Sequence, residues 1–152
     1  MGWGQAFRAM LGPALLTGPA LGVVGGLVLI VIALATGDSG TGGGILMVVL
    51  VMGAAFGLIV ATPAALIAGT PMVRLAASDS RWARWKAWAA AGTGVGGIMG
   101  TPFGLSIYES AATLLVAIAF VATLGLLGAL MCRRMVDHKI SAMNAVDTDI
   151  FA

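Results

Sequence analysis

Cys132, His138 and Ser141 stand close together in the sequence and are the residue types of a nucleophile and a base. A thiol or hydroxyl attacks, and an imidazole takes its proton, provided a third group fixes the imidazole. The segment supplies no such third member, and Asp147 and Asp149 belong to the end of the chain. A single cysteine cannot form an intramolecular disulfide, and with one histidine it leaves no soft-ligand set for zinc. Gly92-Thr93-Gly94-Val95-Gly96-Gly97 matches G-x-G-x-x-G, but a dinucleotide site needs a strand before it, and a basic, tryptophan-rich segment stands there instead. No G-x-x-x-x-G-K-[ST] run occurs. The expectation is a non-enzymatic protein without cofactor or metal.

The solvent that the helices must satisfy explains this poverty of reactive groups. The chain has 152 residues, of which 60% are hydrophobic and 9% charged, with 23 glycines. Eight basic and six acidic residues cannot cover a water-soluble body of this size, so most of the surface must face lipid. The sequence pI of about 9.2 rests on so few charges that their placement matters more than their sum. A lipid bilayer, and not nucleic acid, is the expected partner.

Apolar stretches run over about 13–35, 45–69, 87–107 and 111–132, each near the roughly 20 residues a helix needs to cross hydrocarbon. Lipid offers the backbone no hydrogen bonds, and the stretches lack strand-like alternation, so the sequence predicts an all-α bundle of four antiparallel transmembrane helices. The whole chain reads as one transmembrane domain, with 133–152 as a tail. Thr36 to Gly44 and Ser106 to Ser110 read as short polar loops. Pro71 to Lys86 is the longest connection, with Pro71 as a helix stop and Ser78-Asp79-Ser80 as the signal for a new start.

Every basic residue falls on one side of this arrangement: Arg8, Arg74, Arg81, Arg84, Lys86, Arg133, Arg134 and Lys139. The positive-inside rule then places both termini and the central loop in the cytoplasm, with Asp38 and Glu109 outside. Ala33-Leu34-Ala35 before Thr36 has the form of a signal-peptide cleavage site, but the apolar run is longer than a signal core. The first helix is therefore expected to stay.

Gly92, Gly96, Gly100 and Gly104 recur every fourth residue and form one bare stripe on the third helix. Gly18, Gly22 and Gly26 in the first helix, Gly53 and Gly57 in the second, and Gly125 with Ala129 in the fourth repeat the spacing. Without water between helices, close backbone contact replaces the hydrophobic effect, so these stripes are expected to be packing faces. The third helix also carries Thr93, Thr101, Pro102 and Ser106, which makes it the least lipophilic and suggests a sheltered, central place. Trp82, Trp85 and Trp88, interleaved with Arg81, Arg84 and Lys86, read as an anchor at headgroup level. Pro19, Thr62-Pro63 and Thr101-Pro102 are positions where helices could bend.

The proline-broken second helix ending in Gly-Thr-Pro-Met-Val-Arg-Leu, the tryptophan-rich loop, the Gly/Ala-rich third helix and the fourth ending in Arg133-Arg134 together resemble small uncharacterised four-helix proteins of GC-rich alphaproteobacteria. The resemblance covers the chain in composition and implies a bacterial inner membrane. No ionisable residue lies inside the four apolar cores, which disfavours proton- or ion-coupled transport. The expected role is an accessory or assembly subunit, packed in a larger membrane complex or a homo-oligomer. The alternative is an oligomeric channel or permease subunit for an uncharged solute.

Overall fold

The computed structural model describes residues 2–35, 43–79, 81–106 and 110–149, with side chains for all of these except 43–45, 103 and 138–149. The described residues form helices and short turns, without a strand. Helix α1 spans Trp3–Ala35, α2 spans Gly43–Phe56, a π-helical turn covers Gly57–Ala61, and α3 continues it over Thr62–Ser78. Helix α4 spans Trp85–Ser106 and α5 spans Ala111–Asp149. Because α2, the turn and α3 form one rod, the fold is an all-α bundle of four helical rods. Asp38, Tyr108, Glu109 and most of the first expected loop lie outside the described residues.

Three rods are long and apolar enough to cross a membrane: Trp3–Ala35, Leu46–Ser78 and Ala111–Asp137. Their surface is that of a protein turned inside out, since Ile59 is 71% exposed and Ile67 77%. In water such faces would associate, and in lipid they are the solvated surface. The 22-residue α4, diluted by glycine, is not one of the three.

The rods outrun the expected spans, mainly at their basic ends. Helix α1 begins ten residues earlier, at Trp3 instead of about 13. The expected stop at Pro71 does not occur: α3 runs through it to Ser78 and ends only where Asp79 becomes extended. A helix tolerates proline if the freed carbonyl finds another donor, from a side chain, water or a local change of helix type, and the ring is accommodated. The connection is therefore short. Asp79 organises it by accepting the Arg81 amide at 2.8 Å on its carboxylate, while its carbonyl accepts the Trp82 amide at 3.1 Å. Residues expected to form a tail continue α5 as helix to Asp149. At its start, Ser110 caps α5, its hydroxyl accepting the Thr113 amide at 3.2 Å.

The π-helical turn has a local cause. Pro63 has no amide hydrogen and its ring presses on the carbonyl four residues back, so the helix widens by one residue just before it. The Thr62 amide accordingly donates to the Gly57 carbonyl five residues earlier. Pro102, by contrast, sits within a continuous α4.

Helices α1 and α5 form the central seam, α2 packs on α1 and on neither α4 nor α5, and α4 packs chiefly on α5. This corrects the expectation of a central third helix, because among the described residues the α4 backbone comes close to α5 and, at one end, α3, but not to α1. Glycine lowers lipophilicity, but it also makes one face so closely matched to a single neighbour that along most of its length α4 packs on α5 and stays at the edge. All four rods converge only at the basic end, where α3 also reaches α4 and α5. There Ala6, Met10, Met72, Val73, Trp88, Cys132 and Val136 form a cluster of buried hydrophobic side chains.

Candidate functional site

Three seams of small residues hold the rods and place the surfaces on which a function can rest. In the N-terminal hairpin, glycine meets glycine. A Cβ on Gly22 would be driven into the Gly53 carbonyl, one on Gly53 would stand 2.6 Å from the Gly22 carbonyl oxygen, and one on Gly18 2.8 Å from that of Gly57. Gly26 lies opposite Val49, its Cβ position 3.3 Å from the Val49 oxygen. Both helices advance in four-residue steps, so Gly18, Gly22 and Gly26 interleave with Gly57, Gly53 and Val49 along one antiparallel contact. Thr62 follows the same line, its hydroxyl donating to the Ala14 carbonyl at 3.4 Å.

In the C-terminal hairpin the glycines are mostly on one side. A Cβ on Gly96 would be 2.6 Å from the Val121 carbonyl oxygen and 2.9 Å from the Ala122 Cα. Gly92 lies against Gly125 and Ala129, and Gly100 against Val121 and Ile118. At Gly104 the nearest atom is the end of the Leu114 side chain, 2.7 Å from where a Cβ would sit. Side chains of α5 fill the space that α4 leaves bare, most fully toward the Gly104 end.

The third seam joins the two hairpins and was not read from the sequence. Leu124 of α5 reaches toward Gly25 of α1, and Leu21 of α1 toward Gly128 of α5. One more four-residue step brings Thr17 to Cys132, whose sulfur lies 3.2 Å from the hydroxyl. Gly25 and Gly128 are single notches without a repeat of their own. Only the opposing leucines give them meaning, and a linear sequence does not pair them.

Cys132 is accordingly a packed side chain, 1% exposed, with its neighbour supplied by α1. The side chains of His138 and Ser141 lie outside the described ones. Among the described residues, no three His, Cys, Asp or Glu side chains gather as metal ligands.

The basic end departs from expectation in one residue. Trp82 and Trp85 are exposed, 42% and 55%, as headgroup anchors should be. Trp88 is 3% exposed and belongs to the hydrophobic cluster, so it is a core residue and not part of the anchor. The reason is helical geometry: Trp88 is three residues past Trp85 in α4, and by then the helix has entered the four-rod junction. Arg81, Arg84 and Lys86 are exposed. Lys86 stands 6.0 Å from the Trp85 ring centroid. Arg133 ties α5 to the connection, donating to the Ala83 carbonyl at 2.9 Å and pairing with Asp137 at 3.2 Å. At α1, the Arg74 guanidinium lies 4.4 Å from the Trp3 ring centroid.

The outward face of α4 is the remaining feature. Thr93, Gly94 and Thr101 are exposed, Gly97 partly so, and nothing lies within 4 Å of a Cβ built on Gly94 or Gly97. The Thr101 hydroxyl turns back to the Gly97 carbonyl at 3.0 Å, and Ile98 stands beside them 71% exposed. Fold and surface together define an all-α membrane protein. No family model, no curated protein and no solved structure matches the chain.

Proposed function

We propose that the protein is a non-enzymatic, multi-pass accessory or assembly subunit of a bacterial inner membrane, joined to a larger complex or to copies of itself through the outer face of α4. The observation that carries this reading is the exposure of Gly94 and Gly97 on the least lipophilic helix of the bundle. A span of this composition gains little from lipid, and bare backbone there packs best against another helix. Helix α4 is taken as the fourth crossing, with both termini and the basic end in the cytoplasm by the distribution of arginine and lysine. Helix α1 is retained, because it supplies one side of two of the three seams and Ala6 and Met10 of the core.

Native mass after gentle extraction tests this. A particle larger than one 15.2 kDa chain, reduced to the monomer by Gly97→Leu, is the expected result. A wild-type monomer without a co-purifying protein sinks it.

The second reading is an oligomeric channel or permease subunit for an uncharged solute, favoured by the exposed residues Thr93 and Thr101 on that same face. Several copies of α4 around an axis would line a path with those threonines. Solute flux in liposomes that scales with oligomer content supports it, and silent liposomes at high protein load remove it.

A further inference from the structure

Beside Trp3 a groove of about 590 Å³ opens between the first turn of α1 and the last turns of α3, lined by Trp3, Pro71, Arg74, Leu75, Ala77 and Ser78. None of these residues serves the glycine seams or the outer face of α4. The Arg74 guanidinium rests at 4.4 Å from the Trp3 ring centroid. A guanidinium above an indole ring is attracted by the ring face and keeps N–H donors for other partners. Arg74 is exposed, and no described carboxylate pairs with it. An arginine held beside an indole, with no described hydrogen-bond or ion-pair partner, can offer paired N–H donors to the oxygens of a phosphate.

The rest of the lining narrows the ligand. The Ser78 hydroxyl donates to the Leu75 carbonyl at 2.9 Å, so toward the groove it offers lone pairs only. It can therefore accept from a hydroxyl borne next to the phosphate. Leu75, Pro71 and Ala77 add an apolar wall suited to the carbon skeleton of the same molecule. The groove lies at the end of the bundle that carries the basic side chains, where the positive end of the α1 dipole on one side is offset by the negative end of the α3 dipole on the other, so the charge for an anion comes from Arg74.

We propose that this groove is a phosphate-binding site, with Arg74 as the bidentate donor, Trp3 as its platform and Ser78 as an acceptor for a neighbouring hydroxyl. The phosphate can arrive as the phosphodiester of an anionic glycerol-headed lipid or as free inorganic phosphate.

The test compares wild type with Arg74→Gln, Arg74→Lys and Arg134→Gln, the last removing an exposed cation of the same end that does not line the groove. Native mass spectrometry counts phosphatidylglycerol retained over phosphatidylcholine from mixed nanodiscs, and phosphorus NMR follows inorganic phosphate added to delipidated protein. Loss of a charge-assisted bidentate contact predicts about tenfold weaker retention in Arg74→Gln. Arg74→Lys, lacking the planar fork, falls between the two, and Arg134→Gln matches wild type. Arg74-dependent retention of phosphatidylglycerol assigns the lipid as the source. Arg74-dependent broadening of the phosphate signal without lipid preference assigns free phosphate. Equal retention and equal broadening in wild type and Arg74→Gln overturn the site, and so does an Arg134→Gln loss as large as that of Arg74→Gln.

Discussion

The basic end and the lipid-facing length of this molecule are built from the same four rods but packed in opposite ways. At the basic end, large side chains from all four rods fill a common core, with Met10, Val73, Trp88 and Val136 each 3% exposed or less. Along the lipid-facing length the buried positions are mainly glycine, alanine and threonine, and the close contacts are to backbone atoms. The difference follows from what each region is removed from. Burying Trp88 near the headgroups takes apolar surface out of water, which stabilises the fold in proportion to area. Burying a leucine between helices inside hydrocarbon takes it from one apolar medium to another, so only closer contact and better packing are gained.

The contrast is broken or sharpened by substitution. The largest effect is expected for Trp88→Ala, which empties the core and costs about 3–5 kcal/mol. Trp85→Ala, on the exposed surface, should stay within about 0.5 kcal/mol, and equal losses measured by thermal unfolding in detergent would dissolve the distinction between core and anchor. Next come Gly22→Leu and Gly96→Leu, which press a side chain onto a carbonyl and cost about 1–3 kcal/mol or more. Gly22→Leu should separate α1 from α2 and leave the α4–α5 hairpin paired, and Gly96→Leu the converse, as read by cysteine crosslinking within each hairpin. Simultaneous loss of both hairpins from either change would show that the seams are not independent.

Arg133→Gln removes the donor to the Ala83 carbonyl and the partner of Asp137, with an expected cost of about 1 kcal/mol. Faster amide exchange in the Asp79–Arg84 connection is the sign to look for. The smallest effect is expected for Gly94→Ala, which has room for its methyl and gains helix propensity, stabilising the monomer by up to about 1 kcal/mol. A destabilised monomer would mean that the outer face of α4 is already covered within one chain.

How much could be read in advance differs along the molecule. Four-residue glycine spacing is legible in α1, α2, α4 and α5, because a bare stripe is visible in a linear pattern, but the pattern does not say which stripe faces which. Trp88 was misplaced by the same kind of pattern: with Trp82 and Trp85 it forms an even series, and nothing in the spacing says that the third member has passed from headgroup level into a junction. The stop at Pro71 failed likewise, since proline's local preference against helix yields where the surroundings accommodate it. The Leu21–Gly128 and Leu124–Gly25 pairs were invisible, as was the Arg74–Trp3 stack, because each joins residues far apart in the chain.

The sequence by itself determined the solvent, the helical form and the sidedness of charge, since these follow from composition and from the backbone's need for hydrogen bonds in lipid. Tertiary structure alone decided which helices are neighbours. Glycine stripes of similar spacing are nearly interchangeable as partners, and the choice among them comes from the knobs that fill the notches, the hydroxyl of Thr62 on the Ala14 carbonyl and the side chains that converge around Trp88.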